Sequence, residues 1–216
     1  GFIPFKNSLA YLLDIKDQES FLKSKNKDDL ITKIGVSALT RWSEAKKTLS
    51  HKVDWNEDFS IIEVDRFDHR IEGFWEKMKN SYDYCIIKNA EYLNWKNSRP
   101  NMIEHKFRLA VKEGEVLGFS VLSLSEEDNY REGSISEMLT LPDRQDGAEA
   151  LIVNACEYFE NKNVAVIYYQ VTKGHHYEDL AERNGFIDAS SQNTTFFYYI
   201  IVNKSIPDDY INNIQP

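Results

Sequence analysis

A chain of 216 residues with 42% hydrophobic and 13% aromatic content can bury the core of one large domain, or of one domain and part of another. Its formal net charge of −9 argues against the basic stripe that nucleic-acid binding needs and gives no attraction to an anionic membrane surface. No apolar run approaches the roughly 20 residues that span a bilayer, no signal peptide opens the chain, and Cys85 and Cys156 form no metal or redox spacing. The cytoplasm is therefore the default compartment.

The chain opens on Gly1-Phe-Ile-Pro-Phe, runs into the apolar stretch Leu9 to Leu13, and has no methionine before Met78. A second Gly-Phe-Ile begins at Gly185. The two stretches read as equivalent corners of two related domains, the first cut off before this chain begins. Residues 16–50 carry helical spacing at Leu30, Ile34, Ala38 and Trp42 and predict one or two connecting helices, with Lys23 to Asp29 as a solvated turn. The segment 1–57 is thus read as a connection and 58–216 as the main domain.

Phe59-Ser-Ile-Ile-Glu-Val predicts a strand, and Phe67, Ile71, Phe74, Trp75 and Met78 predict a helix by their three- and four-residue spacing. Tyr84-Cys-Ile-Ile reads as a short extended run, with Cys85 inside it as core. Asn89 is the cap of a helix reaching Trp95. Lys106 to Val111 and Val116 to Leu124 predict a hairpin closed by Glu113-Gly114, and Gly133 to Leu141 a third strand. After Gly147, the residues Ala148, Leu151, Ile152, Ala155, Cys156 and Phe159 mark one face of an amphipathic helix. Val164 to Val171 reads as a central strand. A short helix from His175 to Arg183 ends at Asn184-Gly185, and Thr194 to Val202 is the last strand. The order predicts a mixed α/β sheet flanked by helices, with parallel pairing between the strands on either side of the post-Gly147 helix.

The stretch from Glu137 to Val153 is the strongest pointer to a ligand. A strand that hands its C-terminal end to a helix N-terminus offers free N–H groups and the positive end of a helix dipole, an arrangement suited to phosphate.

This order, with Leu139-Thr-Leu-Pro-Asp-Arg-Gln-Asp-Gly147 before the amphipathic helix and Glu182-Arg-Asn-Gly-Phe186 after a late one, resembles the GNAT superfamily of acyl-CoA-dependent N-acyltransferases. Asn89-Ala-Glu-Tyr-Leu-Asn-Trp-Lys96 is similar to a segment of two-domain bacterial GNAT-like proteins. The resemblance covers roughly residues 58–203, and 1–15 as the tail of a preceding GNAT-like unit. It implies a mixed, mostly antiparallel sheet and acetyl-CoA as acyl donor. Met138, Leu139, Thr140 and Leu141 would line the pantetheine arm. Arg144, Gln145, Asp146, Gly147 and Ala148 would form the pyrophosphate turn, with Arg144 and Gly147 matching the family's Arg/Gln-x-x-Gly-x-Gly/Ala pattern. The chain departs from that pattern at Glu149, which replaces the second small residue, at Asp146, whose carboxylate would face the phosphate, and in a turn one residue shorter.

Acyl transfer to an amine needs a base for the ammonium proton and an acid for the leaving thiolate. Glu137, placed between Ile135 and Leu139 in the strand alternation, is the candidate base; its alternative is a solvated strand glutamate. The family's thiolate tyrosine would fall at Ala181, so Tyr177, one turn earlier on the same face, is the candidate acid. Tyr92, Asn94 and Trp95 are candidates for an acceptor pocket, or packing residues three apart. His175-His176 has no partner at metal-ligand spacing, and no metal is expected.

The resemblance implies acyl-CoA-dependent N-acyltransfer to a small amine such as an amino sugar or amino acid. The alternative is a catalytically silent GNAT-like domain that binds a ligand or partner within a two-domain protein, an upstream GNAT-like domain or a homodimer being the expected assemblies. A tRNA-dependent aminoacyl transferase is a further reading, against which the acidic balance counts.

Overall fold

Two apolar faces of one sheet decide the architecture. The computed structural model describes residues 2–4, 8–14, 59–81, 85–98, 103–126, 131–164, 166–172, 174–188 and 197–199. Their elements are β1 (Phe2–Pro4), β2 (Ser8–Asp14), β3 (Phe59–Val64), α1 (Arg70–Met78), α2 (Ala90–Asn97), β4 (Glu104–Lys112), β5 (Glu115–Glu126), β6 (Arg131–Thr140), α3 (Gln145–Asn161), β7 (Val166–Thr172), α4 (Tyr177–Arg183), β8 (Ile187–Asp188) and β9 (Phe197–Tyr199). Among the described residues the main sheet has seven strands in the order β3-β4-β5-β6-β7-β2-β8. Every neighbouring pair is antiparallel except β6 and β7, which run parallel on either side of the α3 crossover.

The β4–β5 hairpin turns on Glu113 and Gly114, with φ of 49° and 81°. Two consecutive positive φ values make the turn whose twist matches the strands it joins. α1 places Ile71, Phe74 and Met78 on one face of the sheet, together with Phe67, Leu93, Phe107 and Phe119. There Phe119 meets Phe67 and Phe74 edge-on, at centroid separations of 5.3 and 5.7 Å. α3 covers the other face. All six residues of its predicted apolar stripe are buried, packed with Ile135, Met138, Ile167, Tyr169 and Phe186. α2 is capped as expected, the Asn89 side chain accepting from the Tyr92 amide at 2.9 Å, and α4 ends at Gly185 with φ of 85°.

Three expectations change. The run after Tyr84 is no core strand: Ile86 and Ile87 are exposed and Cys85 is only partly buried. A short apolar run is ambiguous until a neighbour covers it. The last strand, described at Phe197–Tyr199, pairs with Phe2–Pro4 rather than with the main sheet, and the place beside β7 is taken by Ser8–Asp14. Ile135 and Glu137 do not share a face either. Val121 pairs with Glu137 while Leu122 pairs with Ile135, so Ser136 is an extra residue in β6. The predicted connecting helices within 16–50 lie outside the described residues.

Candidate active site

β6 and β7 pair only from Glu132–Val166 to Ile135–Tyr169. Beyond that point β6 stays with β5 as far as Thr140, while β7 continues beside β2 to Thr172. The two strands therefore diverge, and among the described residues no strand covers the edge that residues 136–140 of β6 present. Thr140 turns its amide away from β5, donating to the Tyr177 hydroxyl at 2.8 Å. Since orientation along an antiparallel pair alternates, Met138 also directs its N–H and C=O into the gap. Tyr177 is buried, with its hydroxyl 2.9 Å from Thr140 Oγ1 as well. Tyr169 reaches Met138 Sδ at 4.0 Å from the β7 side.

The end of β6 leads directly into the first turn of α3. Leu141 is held by its amide to the Leu117 carbonyl at 2.9 Å, and the Arg144 amide closes a turn on the Leu141 carbonyl at 3.0 Å. The N-cap of α3 is Arg144, which brings no side-chain cap, whereas Ser, Thr, Asp or Asn would ordinarily accept from first-turn amides. The anion at this helix end is internal. Asp146 accepts from the Gly147 amide at 2.9 Å and is forked by the Arg144 guanidinium. That hydrogen-bonded fork holds the Asp146 carboxyl below its ordinary range and raises Arg144. A Cβ built on Gly147 would meet Arg144, Leu117 and Thr140 only at 3.9 Å, ordinary contact distance. Among the described residues, no contact requires glycine there.

The bulge at Ser136 sets the other half of the site. Ile135 and Met138 both pack on the α3 face, so Ser136 and Glu137 fall together on the face of α1 and α2. The Glu137 side chain is 8% exposed and receives Lys88 on one oxygen and Lys96, at 2.6 Å, on the other. Lys88 precedes the Asn89 cap and Lys96 lies in the last turn of α2, so the helix brings both ammonium groups over one strand residue. Beside them, Ser136 Oγ is 2.7 Å from Ser123 Oγ, which is 3.0 Å from His105 Nδ1. Burial, reinforced by the charge of Lys96, lowers the His105 pKa.

The predicted residues fall into two groups. Met138 to Leu141 and Arg144 to Ala148 are contiguous around the gap and the α3 N-terminus. Glu137 lies across the same strand, on the opposite face. Tyr177 is in the gap itself. Tyr92 and Trp95 stand next to the lysines: Lys88 Nζ is 5.7 Å from the Tyr92 ring centroid, and the two rings are 5.9 Å apart. Asn94 is turned inwards, its amide bonded to the Phe67 amide and carbonyl at 2.9 and 2.8 Å, which pins α2 to the loop before α1. His175 and His176 lie against each other with rings tilted by 31° and meet Tyr177 edge-on at the start of α4. Lys88, Lys96, His105, Ser123 and Ser136 were not legible as site residues. Two lysines flanking a short helix read as a solvated face, and only the bulge brings the serines alongside Glu137.

No helix among the described residues is long and apolar enough to cross a membrane. No protein-family model matches the chain, and no curated protein matches it in sequence. Among solved structures, the chain is similar to one described as a probable acetyltransferase, at a TM-score of 0.51 and 15% identity, covering 67% of this chain and 98% of that one. A tandem GNAT protein from the clavulanic acid biosynthesis pathway aligns at a TM-score of 0.49 and 10% identity, over 87% of this chain and 52% of that one. An aminoglycoside acetyltransferase from an uncultured soil metagenomic sample aligns at 0.47 and 14%, over 68% and 97%. With its diverging parallel pair, bulged β6 and crossover helix, the chain shares the fold of the probable acetyltransferase, the acyl-CoA N-acyltransferase fold.

Proposed function

We propose that the chain is an acyl-CoA-dependent N-acyltransferase that uses acetyl-CoA and acts on a small amine, an amino sugar or an amino acid. The observation that carries this reading is the edge of β6 that no described strand covers, running into an α3 N-terminus where no described neighbour requires glycine. Met138 offers a paired N–H and C=O of the kind an extended amide chain would bond. The α3 amides and Arg144 suit a pyrophosphate. The fold neighbour described as a probable acetyltransferase agrees with it.

In the reaction the acceptor nitrogen would attack the thioester carbonyl, forming a C–N bond as the C–S bond breaks. One proton leaves the ammonium before attack and a second leaves the nitrogen afterwards; the thiolate takes one proton and the solvent the other. Glu137 stands where the ammonium would be received. Tyr177 accepts from the Thr140 amide and lies 2.9 Å from Thr140 Oγ1; it is the phenol assigned to the thiolate. No side chain need form a covalent intermediate.

A second reading is a silent ligand-binding domain. It is favoured by Ala181 at the expected tyrosine position and by Asp146 sitting where a phosphate would. Calorimetric titration of acetyl-CoA into the chain and into Gly147→Ala and Arg144→Ala separates them. Micromolar binding weakened in both variants, with thiol release when an amine is added, supports the enzyme reading; the same binding with no release supports the silent domain. No binding at millimolar donor sinks it.

A further inference from the structure

We propose that the acceptor is an amine carrying its own anionic group, which Lys96 and Lys88 hold while Glu137 receives the amino nitrogen. The inference rests on the acyltransfer reading of the same site and deepens it.

The cluster has two ammonium groups and one carboxylate, a local charge of +1 in a chain whose formal net charge is −9. Among the described residues, the charged and titratable groups facing it are Cys85 and Lys88 before α2, Lys96 on α2, His105 on β4 and Glu137 on β6. His105 adds no compensating negative charge. An amine without an anion reaches this place at neutral pH as an ammonium ion and meets a positive site, in a partly buried setting where Coulomb forces are weakly screened. Glu137 alone cannot offset two lysines and the incoming ammonium together.

An acceptor with its own anionic group removes the mismatch. Each lysine has three N–H donors and the structure commits one of each to Glu137, leaving others for a carboxylate or phosphate. Lys96, with a side chain 41% exposed against 15% for Lys88, is the one that reaches solvent and meets the anion first. The amino nitrogen then lies at Glu137, one residue from the Met138 edge of the gap, where a thioester would be presented. The Tyr92 ring beside Lys88 provides a wall for the acceptor's body.

The experiment uses two matched pairs, phenylalanine with phenethylamine and phosphoethanolamine with ethanolamine, titrated calorimetrically into the full chain and into Lys96→Met and Lys96→Arg. In at least one pair the anionic member should bind about tenfold more tightly. That preference should fall to about threefold or less in Lys96→Met and return in Lys96→Arg. Which pair shows it tells carboxylate from phosphate. Equal affinity within both pairs, no binding of either anionic amine, or a preference unchanged in Lys96→Met would overturn the inference. Thiol release from acetyl-CoA is recorded separately with the same amines. Release at equal rates from neutral and anionic amines keeps the acyltransfer reading and removes this one. An anionic preference in binding with no release from any amine removes the acyltransfer reading and with it the acceptor role, and leaves the lysine pair as an anion-binding site.

Discussion

The Tyr177 hydroxyl lies 2.8 Å from the Thr140 amide nitrogen and 2.9 Å from Thr140 Oγ1, in the gap where β6 parts from β7. A single side chain from α4 thus satisfies a backbone donor that the sheet leaves uncovered, at the place an acyl donor's arm would take. Tyr177→Phe should cost about 1–2 kcal/mol of stability, because the Thr140 N–H loses its partner in a buried setting. It should lower kcat by about 100-fold if the phenol serves the thiolate. A change confined to the donor KM would instead show that the hydroxyl only holds the strand edge. Urea unfolding and steady-state kinetics read the two effects independently.

Glu137 should be needed for both chemistry and packing. In Glu137→Gln the amide cannot take up the ammonium proton, and kcat/KM should fall about 100-fold. Lys88, with a side chain only 15% exposed, loses its counter-charge, and stability should fall by about 1–3 kcal/mol. The double variant Glu137→Gln, Lys88→Met should recover most of that stability and none of the rate.

Asp146 accepts from the Gly147 amide in the first turn of α3, where the proposed donor's pyrophosphate would bind. Asp146→Asn removes the like charge and releases Arg144, so the dissociation constant for CoA should drop about three- to tenfold. α3 should lose about 0.5–1 kcal/mol, since a first-turn carboxylate interacts favourably with the helix dipole. Tighter donor binding at a lower Tm is the expected signature. Weaker binding would mean that Asp146 shapes the turn rather than competes for it.

His175 supplies a pH dependence of stability. Burial first, and then the nearby charge of His176, bring its pKa from the ordinary 6.5 down to about 4. Between those values the unfolded chain binds more protons than the folded one, so stability rises with pH across the window and is lost on acidification. The loss between pH 7 and 4.5 should amount to about 2 kcal/mol, and His175→Gln should flatten that part of the profile. Urea midpoints measured at half-unit pH steps test it.

The sequence by itself determined the elements that local periodicity encodes. The i, i+3, i+4 stripe of α3 is buried as a whole, the Glu113-Gly114 turn closes its hairpin, and Asn89 caps α2. Each of these depends on neighbours a few residues away, so side-chain spacing and turn chemistry suffice. The order of elements likewise carried the parallel pairing of β6 with β7. The tertiary structure alone decided what depends on register and long-range charge. The extra residue Ser136 reverses the faces of β6 beyond Ile135, and no local pattern marks it, because a bulge is settled by pairing with β5. Only then does Glu137 come under Lys88 and Lys96, 49 and 41 residues earlier in the chain. The exposure of Ile86 and Ile87, and the placing of Ser8–Asp14 beside β7, have the same origin. A residue's face and its partner are fixed by which strand or helix lies against it, and that is a property of the packed molecule.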